Sequence, residues 1–184
     1  MIAGMTAPRI LATALLTGLC LGCTAAPPPV AGAEHAPAAE AAILATIDRF
    51  FEAMAAGDAE AFAAEQTADG MTYAQRLRDG RWELAARSHR ELIEGIAAGA
   101  GRRIAETYWQ PTVLVRGPIA VVWAPYRFRI DGADAHFGVD VFQLVEIEGR
   151  WLISGVQWTV EPGAGAELAP RAGAEIRPAS LRSR

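Results

Sequence analysis

The chain has no lysine, since all 17 of its basic residues are arginine. That excludes lysine Schiff-base chemistry and any phosphate loop that depends on a lysine. Only three histidines occur, His35, His89 and His136, with no HxxH spacing, and the single CxxC, Cys20-Leu21-Gly22-Cys23, stands far from all of them in the sequence. No converging set of metal ligands is therefore written in the sequence, and neither metal nor cofactor is expected. A Gly-x-Ser-x-Gly elbow is also missing, which argues against a nucleophilic serine. The two cysteines, Cys20 and Cys23, both lie at the front of the chain. The formal net charge of −4 and a pI near 5.4 argue against general binding of nucleic acid.

What is present at the front reads as an export signal. Arg9 precedes the apolar run Ile10-Leu11-Ala12-Thr13-Ala14-Leu15-Leu16-Thr17-Gly18-Leu19, which ends at Cys20-Leu21-Gly22-Cys23. The run falls short of the roughly 20 apolar residues that a permanent membrane helix needs. Residues 1–22 are thus expected to be a signal peptide. Leu21-Gly22-Cys23 resembles the end of a bacterial lipobox, which makes Cys23 the candidate for lipidation; the alternative is ordinary cleavage after Ala25 or Ala26. Either cut exports the protein, the first leaving it tied to the membrane of the bacterial envelope only by the lipid on Cys23 and the second releasing it to the periplasm or beyond. Either also leaves at most one cysteine, so the mature chain has no internal disulfide and the fold must stand on its core. Loss of Arg9 leaves 16 arginines against 21 acidic residues. Residues 23–39 are rich in Ala and Pro, a composition suited to a semi-extended spacer.

With 52% hydrophobic residues and five tryptophans, the middle can bury a core. From Glu40 to Ala56, Ile43, Ile47, Phe50, Phe51 and Met54 recur at spacings of three and four, the pattern of an amphipathic helix ended by Gly57. Asp58 is placed to cap a short second helix carrying Phe62 and ending near Asp69-Gly70. Met71–Leu77 and Arg81–Arg87 flank Arg78-Asp79-Gly80 as a hairpin, and Ser88-His89-Arg90-Glu91 reads as a capping box for a third helix running to about Gly99. Four β-rich runs follow, at 102–116, 119–130, 135–147 and 150–160, separated by Gly117-Pro118, Asp131-Gly132 and Glu148-Gly149. The expected fold is α+β: a mostly antiparallel sheet wrapped on three helices, over residues 40–162. Residues 163–184, with only Leu168, Ile176 and Leu181 as large aliphatics, are expected to form a mobile tail.

This order of elements, with Trp123-Ala-Pro-Tyr-Arg-Phe, Asp131-Gly132, His136-Phe-Gly-Val-Asp140-Val-Phe142-Gln and Gly149-Arg-Trp151, resembles the nuclear transport factor two-like superfamily. Within it, the SnoaL-like and lumazine-binding-like bacterial branch is the most similar. The resemblance implies a cystatin-like cone, a bent sheet enclosing a pocket, often dimeric through the outer sheet face. It does not imply one function, because the superfamily contains isomerases, dehydratases, hydrolases and non-catalytic binding proteins.

Side chains alternate across a strand, and a two-residue turn at Asp131-Gly132 pairs residues whose numbers sum to 263. That register puts Trp123, Arg127 and Arg129 on one face with His136, Gly138, Asp140 and Phe142. A turn at Glu148-Gly149 pairs numbers summing to 297 and sets Asp140 opposite Gln157. The expected pocket is therefore Trp123, Arg127, His136, Asp140 and Gln157, holding a small, partly apolar molecule. His136 and Asp140, four residues apart, lie roughly 13 Å from each other and cannot form a direct dyad. The alternative is structural: Arg127 and Arg129 ion-paired with Asp134 or His136, and Asp140 satisfied by Gln157. Tyr126, Phe128 and Phe137 are left on the second face, as the core of a homodimer interface. Three functions stay open: an exported ligand-binding domain, a cofactor-free enzyme using Asp140 or His136 as general acid or base, and an envelope assembly module.

Overall fold

Helix α1 (Pro37–Ala56) begins with a proline, whose missing N–H costs no hydrogen bond in a first helical turn, and closes at Gly57 with φ +71°. The structure, a computed structural model of the chain, describes residues 37–99, 101–161, 163, 167–178 and 181. The expected signal peptide, Cys23 and most of the linker lie outside the described residues. Of the two units into which the chain divides, Met1–Gly32 and Ala33–Arg184, the second contains all the described residues.

The next helix, α2 (Ala59–Ala64), starts where Asp58 accepts a hydrogen bond from the Ala61 N–H at 3.0 Å. It is shorter than its composition suggests. The Glu65 carbonyl accepts from the Ile153 N–H at 2.9 Å, and the chain leaves the helix to become a strand, β1 (Gln66–Arg78). Strand β2 (Arg81–Ser88) returns as a hairpin, and α3 (His89–Ala98) opens on the expected capping box of Ser88 and Glu91. The expected run 102–116 is split by Gln110-Pro111 into β3 (Ile104–Trp109) and β4 (Thr112–Arg116), which pair with successive stretches of β5 (Ile119–Ile130). Strands β6 (Ala133–Ile147) and β7 (Arg150–Val160) follow. Their connecting turns have positive φ at both central residues, Asp131 and Gly132, then Glu148 and Gly149, the geometry that matches strand twist.

A short last strand, β8 (Ile176–Arg177), completes one curved sheet in the order β2-β1-β7-β6-β5-β3-β8, with β4 beside β5. Every pairing is antiparallel except β1 with β7. The tail expectation needs correction here, because part of that segment is fastened. Ile176 and Arg177 pair with β3, Leu168 and Leu181 are buried, and the Arg177 guanidinium grips the Asp48 carboxylate and donates to the Tyr108 hydroxyl. Few apolar residues suffice when an ion pair and a strand edge hold them.

The helices pack on one sheet face. Phe50 of α1 stacks on Phe62 at 4.4 Å and meets Phe142 of β6 edge-on, while Phe51 lies between Phe142 and Tyr108. Two bulges decide which strand residues join them. The pairing of β5 with β6 starts as expected, Ile130 with Ala133 and Arg129 with Asp134, but the next pair is Phe128 with His136, leaving Ala135 unpaired. From there every pair sums to 264 rather than 263, and the faces of β5 exchange. Likewise β6 and β7 start at 297, and Ser154 bulges out, so that Asp140 stands opposite Trp158 instead of Gln157.

Gly138 is required by this arrangement, because the Tyr126 ring crosses over it. A Cβ at 138 would lie 2.8 Å from Tyr126 Cε1 and drive into the Thr159 carbonyl. Gly138→Ala should therefore destabilise the fold by about 1–3 kcal/mol, as overpacking does. A urea melt checks this, and an unchanged midpoint would contradict the crossing.

Candidate functional site

The inner sheet face, α1, α2 and α3 enclose a cavity of about 300 Å³. Its wall is mostly apolar, with Phe50, Phe62, Phe128, Phe142, Leu92 and Trp158 among its members. Its polar members are Glu106, His136, Thr72, Arg76 and Arg87. A lining of this kind, apolar with a few polar groups, suits a small molecule.

The expected site residues separate. His136 and Asp140 do face inward. Trp123, Arg127 and Gln157 lie on the opposite face, because the bulge at Ala135 turns odd positions of β5 outward and the bulge at Ser154 does the same to Gln157. Trp123 is 53% exposed. Arg127 Nε stands 3.7 Å from Asp134 Oδ1, and Arg129 Nε donates to the same oxygen at 2.8 Å, which is the structural alternative for those arginines. Tyr126 and Phe128, expected at an outer interface, take the inward places instead.

Tyr126 links the polar groups. Its hydroxyl donates to the Thr159 carbonyl at 2.6 Å and stands 3.0 Å from His136 Nδ1. A carbonyl only accepts, so the phenol proton goes to Thr159 and His136 Nδ1–H donates to the phenol oxygen, leaving Nε2 with its lone pair. The imidazole also stacks on Phe128, ring centres 4.8 Å apart. Burial first, then the charge of Arg76, lowers His136 to about 4. It is neutral at pH 7 and offers an acceptor.

The second feature is a pair of carboxyls. Glu106 is 8% exposed and Asp140 3% exposed, and the two are hydrogen-bonded to each other. Burial raises Glu106 well above the carboxylate range, aided by the charge of Asp140, and burial pushes Asp140 up to about 7. Two like charges cannot share this dry position, so the pair keeps a proton near neutrality, with protonated Glu106 donating to Asp140. Asp140 Oδ2 has no hydrogen-bond partner among the described residues. Glu106 lines the cavity and Asp140 stands behind it.

Glu106 escaped the sequence reading. It sits between Ile104 and Tyr108 on alternate positions of a strongly apolar strand, where an acid with a buried address is the available signal. Among the described residues no group of three His, Cys, Asp or Glu side chains converges as a metal site.

A family model described as Putative lumazine-binding matches residues 38–158. The chain belongs to this family. Like the lumazine-binding family, solved structures of the NTF2-like, cystatin-like type share its fold. A conserved protein from Planctomyces limnophilus aligns with a TM-score of 0.58 at 18% identity, over 69% of this chain and 99% of that one. An NTF2-like protein from Novosphingobium aromaticivorans gives 0.55 at 18% identity, over 69% and 84%. A cystatin-like protein of unknown function from Nostoc punctiforme gives 0.53 at 20% identity, over 68% and 93%. No curated protein matches. At these identities the likeness establishes the fold, and the lumazine-binding family adds a small-ligand-binding character without a specificity.

Two outcomes follow from the protonation states. Glu106 and Asp140 bind protons more tightly folded than unfolded, so the contribution of each to stability is full below the ordinary carboxylate range and lost as pH rises, for Asp140 through about 7. The stability of wild type relative to a Glu106→Gln/Asp140→Asn double variant should fall between about pH 5 and about pH 8 in chemical melts, and a pH-independent difference would contradict the pair. For His136, long-range proton–nitrogen NMR should show a neutral ring with hydrogen on Nδ1 down to about pH 4. An ordinary titration near 6.5 would show that the ring is not held this way.

Proposed function

We propose that this is an exported domain that binds a small, partly apolar molecule in its cone, without a metal or cofactor. The enclosed aromatic cavity, with Glu106 and His136 as its inner polar groups, carries the reading. Lumazine, named in the family description, is the first molecule to offer it. Export by the 1–22 segment and lipidation at Cys23 are part of the proposal. No helix among the described residues is long and apolar enough to cross a membrane. The domain would then hang from its lipid on the Ala/Pro-rich spacer, shortened to the residues that precede α1, which begins at Pro37.

A homodimer belongs to the proposal through the outer sheet face. One row of that face runs Trp123, Val141, Gln157, Tyr73, and the next runs Leu114, Val121, Gln143, Gly155, Met71. Trp123, Val121, Leu114, Met71 and Tyr73 are exposed there. Apolar surface of that kind suits a second copy. Trp123 and Gln157 thus move from the ligand to the interface.

A second reading, a cofactor-free enzyme, is favoured by the carboxyl pair. A proton held on Glu106 beside an acceptor at Asp140, with neutral His136 Nε2 in the same cavity, is a set able to give and take protons. Binding and catalysis use the same cavity.

Native mass spectrometry of the purified chain separates this proposal from an assembly module. Ala85, which lines the cavity, provides a filling variant. A small molecule should travel with wild type and be missing from Ala85→Phe. An empty wild type that also fails to take up added lumazine or other flat apolar molecules would shift the assignment to envelope assembly through the outer face.

A further inference from the structure

The proposed binding role leaves the arginines of the cavity unused, and they are informative about the ligand. Arg76 of β1 and Arg87 of β2 both line it. Both are exposed, so the cavity opens where they stand. Register places them on the inner face of the hairpin. Thr72 faces Arg87, Ala74 faces Ala85, and Arg76 faces Glu83. Arg87 and Arg76 are thus separated by four positions along the strand, roughly 13 Å. Two alanines form the floor between them, leaving room for two long side chains to lean together over a ligand.

Their charges are available. Glu83 is engaged by Arg78 at 3.6 Å, and no carboxylate among the described residues stands within ion-pair distance of Arg76 or Arg87. Glu91 is felt by Arg87 at longer range. Arg76 lies close enough to His136 and Tyr126 for its charge to act on both. A cationic mouth therefore leads to an aromatic wall and then to a carboxyl pair that keeps its proton.

On the reading that the cavity binds a small molecule, we infer that its ligand is an apolar body bearing one carboxylate-type anionic group, held at the mouth by Arg76 and Arg87. The apolar body passes inward along Phe128 and Trp158, and any hydroxyl or carbonyl at its far end meets Glu106. A second anionic group at that depth would oppose the Glu106–Asp140 pair, which selects for a monoanion. Guanidinium favours this role because its planar fork matches a carboxylate.

The test uses three probes with one body, 2-naphthoate, 2-naphthalenemethanol and 2-naphthylmethylamine, titrated into the full chain by calorimetry at low and physiological salt. The carboxylate should bind about tenfold or more tightly than the alcohol, with the advantage reduced by salt. Arg76→Gln and Arg87→Gln should each shrink that advantage, and together remove it, while alcohol binding stays at the wild-type level. Equal binding of carboxylate and alcohol, or preference for the amine, would overturn the anionic ligand and leave the binding role standing. If the variants weaken carboxylate and alcohol alike, the arginines shape the mouth and the inference is wrong. Binding of none of the three would fail the binding role and the inference with it.

Discussion

One unpaired residue, Ala135, determines the character of the interior. By leaving the ladder between β5 and β6 it shifts every pair beyond it by one position, and a one-residue shift turns each side chain of β5 to the other face. Tyr126 and Phe128 go in; Trp123, Arg127 and Arg129 go out. The bulge at Ser154 performs the same operation on β7, bringing Val156 and Trp158 inward and Gln157 outward. Without these two bulges the helices would sit on a face carrying two arginines, whose burial without partners would be costly.

With that register the interior chemistry follows from burial. Asp140 is carried inward beside Glu106, and desolvation makes two charges there untenable, so a proton stays. His136 is carried inward on the same strand, and desolvation keeps it neutral instead. The same physical cause holds the acids protonated and the base unprotonated. Tyr126, spanning the small Gly138 to reach both His136 and Thr159, keeps the imidazole in one tautomer. Charge appears at the mouth, where Arg76 and Arg87 reach water. Polarity in this cone is thus graded from a charged rim to a neutral depth.

Much of the fold was legible in the sequence because its signals are local. The Ser88–Glu91 capping box, the Asp58 cap, the three hairpin turns and the aromatic stripe of α1 all appear as read. The parallel pairing of β1 with β7 joins residues 84 to 87 positions apart, so nothing local announces it, and it is what draws residues 66–70 out of the second helix. For the site, His136 and Asp140 were read to the correct side, because alternation within β6 is unaffected by its partner. Trp123, Arg127 and Gln157 were misplaced, because alternation counts residues and a bulge changes the count. The fastening of the tail by Arg177 on Asp48 was equally hidden, since it depends on a partner 129 positions away.

The central claim is a proton retained between Glu106 and Asp140 inside the cone. Infrared difference spectroscopy near pH 6, where exposed carboxylates are ionised, tests it most directly. The account predicts the carbonyl stretch of a protonated carboxylic acid in wild type and its loss in the Glu106→Gln/Asp140→Asn double variant. A wild-type spectrum with every carboxyl ionised would contradict it.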